Sequence, residues 1–293
     1  MKTKQTHRRP SVARVVDRVR ALPVFRSYPT LYVGSAIKAR RHRDELAPVR
    51  TFVMFVGHPR SGHSLVGSLL DAHPNMAVAH ELDVLKYVAA GYRRDQLLTL
   101  VLEHSRTNAD TGRKSWGYSY AVPGQWQGRY QRLEVAGDKR GRKSTARLRD
   151  HPELFDRLVG AVDMPVKVIQ VVRHPYDNIA TMFKRGSAPI EHQIDLYFEL
   201  SETVDRLVGQ LPADRFERAH LEDLIADTAS ELARLCRFLD VPAEPDYLAA
   251  CAGIVFASPR RTRDEAQWTP ELRASVERGI AEHEWLTRYS FES

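Results

Sequence analysis

Apolar residues along the chain fall into two kinds of run. TFVMFVG, Thr51 to Gly57, and VKVIQVV, Val166 to Val172, are short, dense and β-rich; the first stops at a glycine and the second at Arg173-His174-Pro175. Runs of this kind read as buried strands. From Gly62 the period changes, and Leu65, Val66, Leu69 and Leu70 share one helical face until Ala72-His73-Pro74 ends it. A further helical stretch follows the second strand through Met182 and Phe183, and Ile190, Ile194, Tyr197, Val204 and Leu207 continue at helix period. ASELARLCRFL repeats the pattern, and LEVAGDK, Leu133 to Lys139, predicts another strand. Near the end, Thr269 is an N-cap with Pro270 at the first helical position. Apolar strands alternating with helices predict an α/β fold of three layers with a central, mainly parallel sheet. No internal repeat is visible. Residues 106–132 are rich in Gly, Trp and Tyr without a clear period, an excursion suited to bordering a pocket. Its Trp116, Tyr118, Tyr120, Trp126 and Tyr130 are either core or pocket wall.

Charge divides the chain. Residues 1–50 hold 13 Lys or Arg against Asp17, Asp44 and Glu45, a net +10, which leaves −3 for the rest of a chain whose total is +7. We therefore expect a basic N-terminal arm, 1–50, and a main folded domain, 51–293, which must carry any catalytic chemistry. Within the arm, Val12, Val15, Val16, Val19 and Leu22 form an amphipathic stripe between basic residues. The stripe either packs on the domain or touches an anionic membrane surface through residues 11–26. No run approaches the roughly 18 apolar residues of a membrane span, and no apolar segment follows the basic N-terminus. The two cysteines, Cys236 and Cys251, lie in helical patterns without metal-ligand spacing and read as packing residues. The expected setting is cytoplasmic.

The candidate chemistry sits in GHPRSGHSLVGSLLDAHP, Gly57 to Pro74. Gly57, Gly62 and Ser64 match the phosphate-binding pattern G-x-x-x-x-G-K-[ST], but His63 stands at the lysine position. A strand that ends in such a turn and opens a helix offers backbone N–H groups and a helix dipole to an anion. Without the lysine, and with no strand ending in an evident magnesium-binding carboxylate, Mg-ATP is a poor cargo. Arg60, inside the loop, has a fork suited to a phosphate.

PRSGHSLVGSLLDAHPNMAVAHE resembles the 5′-phosphosulfate loop of sulfotransferases that use 3′-phosphoadenosine 5′-phosphosulfate (PAPS), whose core reads P-[RK]-S-G-T-[TS]-L. VVRHPYDNIATMF is similar to their 3′-phosphate motif, with Arg173 and Thr181 eight residues apart. HLEDLIADTASELARLCRFLDVP and ASPRRTRDEAQW resemble two later family segments. Together the motifs cover residues 50–290 or so. The resemblance implies the P-loop-like sulfotransferase fold, with PAPS as sulfuryl donor and no metal requirement. It places Arg60, Ser61, Gly62, His63 and Ser64 on the phosphosulfate, and Arg173 and Thr181, with Arg260 or Arg261, on the 3′-phosphate. Glu81, 21 residues after Arg60, is the implied base for the acceptor hydroxyl. Arg60 and Lys139 are the candidates for the leaving phosphate oxygen.

Three departures stand out. His63 replaces the usual threonine, and a charged imidazole there would compensate. His220 replaces a tyrosine, and Arg140-Gly141 replaces Thr-Pro after Lys139. The expected product is a sulfate ester of a hydroxyl-bearing acceptor, a carbohydrate, a glycolipid or another small molecule, with 3′-phosphoadenosine 5′-phosphate (PAP) released and no nucleic acid involved. The rival readings are a small-molecule kinase using Mg-ATP, and a noncatalytic binder of anionic membrane or nucleic acid acting through the arm.

Overall fold

The computed structural model describes residues 29–115 and 118–293. The amphipathic stripe at residues 11–22 and Trp116 lie outside them. Helix α1 (Pro29–Arg41) packs against a later helix through Tyr32, whose ring meets Tyr92 edge-on, and through its carbonyl, which accepts from Gln96 Nε2 at 3.0 Å.

Strand β1 (Thr51–Val56) runs through a tight loop into α2 (His63–Asp71), then β2 (Met76–His80), α3 (Val84–Ala89) and α4 (Arg94–Asp110). Two-residue strands, Lys114–Ser115 and Tyr118–Ser119, pair antiparallel as a small ribbon. The chain returns to β3 (Val135–Lys139), α5 (Gly141–Asp150), α6 (Leu154–Val162), β4 (Val166–Val172), α7 (Pro175–Arg185) and α8 (Ile190–Val208). It closes with β5 (Phe216–His220), α9 (Leu221–Ala226), α10 (Thr228–Phe238), α11 (Pro245–Ala252) and α12 (Pro270–Ala281).

The five strands form one parallel sheet in the order β2-β3-β1-β4-β5. Side chains alternate across it. Phe52, Met54 and Val56 of β1 enter a core with α3, α4 and α6, whereas Val53 and Phe55 enter the opposite core with α2, α10 and α11. Both faces of the central strands are therefore dry, which is why their sequences are apolar at successive positions. A third core joins α7, α8 and α12 around Tyr176 and Tyr197. Cys236 and Cys251 are buried free thiols in the second core, and burial pushes both up to about 12. This is the predicted α/β architecture. Its strands point their carboxyl ends the same way, and parallel sheets of this kind gather their ligands at that edge.

Candidate active site

At the carboxyl ends of the strands lies a cavity of about 930 Å³. One wall is the loop after β1. Gly57 and Gly62 take positive φ, 109° and 96°, and Arg60 between them is held at φ 67°. Glycine accepts this conformation without the Cβ clash that other residues meet, so it permits the turn, while Arg60 is held there by its surroundings. The loop is tied from behind. Gly57 N–H donates to Thr145 Oγ1 at 2.7 Å, Asn178 Nδ2 donates to Pro59 O at 2.9 Å, and His58 stacks on Tyr197 with ring centres 3.8 Å apart. Arg60, Gly62, His63 and Ser64 all line the cavity. At the start of α2 the N–H groups of Leu65 and Val66 donate to Gly62 O, and the N–H groups ahead of them carry the positive end of the helix dipole toward the cavity.

Two loop residues behave differently from the expectation. Ser61 is buried and does not line the cavity; its Oγ donates to His58 O at 3.1 Å and stiffens the turn. His63 is 7% exposed, and burial, reinforced by the charge of Lys139, holds its imidazole well below the usual histidine range. It is neutral at neutral pH, so the compensating charge is not an imidazolium.

A second cationic grip sits across the cavity. Arg173, where β4 ends, reaches Thr181 of α7: Nη1 donates to Thr181 Oγ1 at 3.0 Å. Its other nitrogen donates to Thr262 Oγ1 at 2.8 Å and to Arg260 O at 2.7 Å. The eight-residue spacing thus becomes a direct contact. Thr262 is a partner that the motif alone did not reveal. Arg260 lines the cavity with its guanidinium paired to Glu265 at 2.8 Å. Arg261 does not line it and pairs with Asp264 at 3.4 Å.

Between the grips lies an ionic cluster. Glu81 leaves the end of β2 with φ 68°, and its carboxylate receives Lys139 Nζ at 3.1 Å and Arg140 Nη1 at 3.0 Å. Lys139 is 1% exposed and also donates to Ser64 Oγ at 3.0 Å. Burial alone would raise the Glu81 carboxyl, but the charge and hydrogen bond of Lys139, with Arg140 beyond, hold it down to about 2. Burial likewise lowers the Lys139 ammonium to about 8, against the pull of Glu81. Beneath them Asp138 accepts N–H bonds from Leu82 at 3.0 Å and Val84 at 2.8 Å, fixing the turn that carries Glu81.

The Sulfotransferase family model matches residues 53–245. The chain belongs to the sulfotransferase family. Among solved structures, it is similar to the sulfotransferase domain from the Synechococcus PCC 7002 olefin synthase, at 17% identity over 79% of this chain and 94% of that one, with TM-score 0.50. It is also similar to the sulfotransferase domain from the curacin biosynthetic pathway, at 17% identity over 80% and 97%, with TM-score 0.52. A mouse sulfotransferase complexed with PAP matches at 11% identity over 82% and 89%, with TM-score 0.47. For the first two the likeness, at 17% identity, is one of fold. No curated protein sequence matches this one.

In this sulfotransferase the aromatic excursion divides. Tyr118 and Tyr120 line the cavity, joined by Phe256 from the segment before Arg260. Trp126 packs elsewhere under Arg129, and Tyr130 bonds Glu45. In the basic run after Lys139, Arg140, Arg142 and Lys143 all border the cavity, as does Arg185 at the end of α7. None of these was singled out by motif, since a charge run looks the same whether it faces solvent or a cleft.

Proposed function

We propose that this sulfotransferase moves a sulfuryl group from PAPS to a hydroxyl of its acceptor and releases PAP. The observation that carries the reading is the pair of separated cationic grips on one cavity. Arg60 and the α2 N-terminus form one, and Arg173 with Thr181 and Thr262 forms the other. PAPS has two anionic groups in different places, so its chemistry fits this donor set. Arg173 is 8% exposed yet still lines the cavity, a buried cation suited to a phosphate dianion.

Bound there, the donor supplies an activated sulfuryl group on a phosphate leaving group. The chain's own residues then have distinct tasks. Arg60 and Lys139 place positive charge where the leaving phosphate oxygen develops its own. Glu81 takes the proton of the incoming hydroxyl. At rest it is a weak base, because Lys139 and Arg140 both neutralise it. Lys139 also touches Ser64, so an anion on the loop shares its charge and loosens its hold on Glu81. In this way donor binding raises the basicity of Glu81 where it is needed. We propose a carbohydrate or glycolipid hydroxyl as the first acceptor class to assay.

Calorimetric titration with PAP, with adenosine 5′-phosphate and with Mg-ATP tests the donor. The expected result is a preference for PAP that drops about ten- to hundredfold in Arg173→Ala, the worth of charge-assisted hydrogen bonds. Equal affinity for adenosine 5′-phosphate, or a preference for Mg-ATP, overturns it.

A further inference from the structure

The cavity carries more positive charge than the donor and the local ion pairs use. Among the described residues, Glu81 is the one carboxylate that lines it. Under the proposed reading, Arg60 and Arg173 serve the donor, and Arg140 is committed to Glu81. Lys184 and Arg260 are both paired with Glu265. Arg142, Lys143 and Arg185 remain.

Among the described residues, neither Arg142 nor Arg185 makes an ion pair or a side-chain hydrogen bond, and Lys143 reaches Asp83 only at 3.9 Å. Asp83 itself is already held by Arg147, with Nε 2.8 Å from Oδ1 and Nη2 2.8 Å from Oδ2. All three cations are exposed, and they converge on the cavity from two elements, the first turn of α5 and the last turn of α7. Their position follows from the chain. Arg142 and Lys143 come two and three residues after Arg140, the residue that grips Glu81, and Arg185 is close enough to Arg60 to depress that guanidinium, after burial. They therefore flank the place where an acceptor hydroxyl must lie, between Glu81 and the loop.

Like charges gathered without counter-charges repel one another, and a cleft lined by one sign focuses its field on the opposite one. We infer that the acceptor bears a fixed anion, a phosphate or carboxylate near the hydroxyl it offers, and that Arg142, Lys143 and Arg185 grip it. This deepens the proposed function and rests on it. The anion would orient the hydroxyl toward Glu81, and acceptors lacking it would leave three cations facing one another.

The test uses the full chain saturated with PAP, so that the donor's grips are filled. It is titrated with glucose, glucose 6-phosphate, glucuronate and inorganic phosphate. We expect saturable binding of the anionic probes and none of glucose, with affinity lowered at least tenfold in the Arg142→Ala/Arg185→Ala double variant while PAP affinity stays at the wild-type value. Absence of anion binding to the PAP complex overturns the inference, as does equal binding of glucose. Loss of PAP affinity in the double variant also overturns it, because the cations would then belong to the donor. Failure of the wild-type protein to bind PAP is a separate result and sinks the donor reading itself. Stronger binding of glucose 6-phosphate or of glucuronate than of inorganic phosphate supports the inference and shows which anion the site prefers.

Discussion

Lys139 Nζ lies 3.0 Å from Ser64 Oγ and 3.1 Å from Glu81 Oε1, so one buried cation joins the phosphate-binding loop to the end of β2. The loop has His63 where a lysine would follow the second glycine, and that imidazole is neutral. The missing charge arrives instead from β3, which pairs with both β1 and β2 in the sheet. A parallel sheet makes this substitution possible because neighbouring strands end at the same edge.

Glu81→Gln keeps the size of the side chain and removes its capacity to take a proton. Turnover should fall roughly 10² to 10⁴-fold, the usual worth of a positioned base. PAP affinity should be retained, since Lys139 loses a competitor for its charge. Steady-state turnover alongside a PAP titration checks both, and wild-type turnover would remove Glu81 from the mechanism.

The titration of Lys139 gives a pH signature. Burial lowers its ammonium from 10.5 to about 8, although Glu81 pulls it up. PAP affinity should therefore fall as pH rises through about 8, when the cation is lost. For stability the sign is opposite: between pH 8 and 10.5 the unfolded chain holds a proton that the folded one has shed, so this group's contribution rises with pH. The check is PAP affinity from pH 7 to 10 in wild type and in Lys139→Met. The variant should bind PAP more weakly and show a flatter profile.

How far the sequence carried this picture depends on what each residue's neighbours are. β1 and β4 were visible because both faces are buried and their runs are apolar. β5, FERAH, was not: it is an edge strand in which only Ala219 is fully buried, so no apolar run marks it. The helix α4 was missed because its C-terminal turns, SRTNAD, are polar and merge with the aperiodic segment that follows. At the site, Arg60, Glu81, Arg173 and Thr181 carry motif spacing and line one cleft, with Lys139 buried behind Ser64 and Glu81, whereas Thr262, Asp138 and Arg185 contribute through contacts over long sequence separations. No local pattern encodes those.

Asp138 should matter through the turn it holds. It is 1% exposed and accepts the N–H groups of Leu82 and Val84, on either side of Asp83, and Glu81 and Asp83 are both at positive φ. An asparagine has one carbonyl oxygen where the carboxylate has two, so Asp138→Asn leaves one N–H facing an amide N–H. The expected cost is about 1–3 kcal/mol of stability. Turnover should fall while PAP affinity holds, because Glu81 moves and the two grips do not. Burial raises this carboxyl from 3.8 to about 6, against the pull of its N–H bonds, so its contribution to stability declines as pH rises across that window. Denaturant unfolding of both proteins from pH 4 to 7 should show that slope in wild type and its absence in the variant.

Gly67 tests the position of Lys139 without altering a group that lines the cavity. It lies within α2, and a Cβ there would come 2.6 Å from Lys139 Cγ and 2.9 Å from its Cβ. Gly67→Ala brings helix propensity in its favour by roughly 1 kcal/mol, yet overpacking of this kind costs about 1–3 kcal/mol. Turning the lysine moves its Cγ but not its Cβ, so the strain is shared between a rotated side chain and a shift of α2 away from β3, and both carry Nζ away from its place beside Ser64 and Glu81. Turnover should fall at least tenfold and the alkaline loss of PAP affinity near pH 8 should shift, since both depend on where that ammonium sits. Arg173 is remote from this contact, so the preference for PAP over adenosine 5′-phosphate should persist. Unchanged turnover with an unchanged pH profile would show that the Lys139 bridge is not what the chemistry uses.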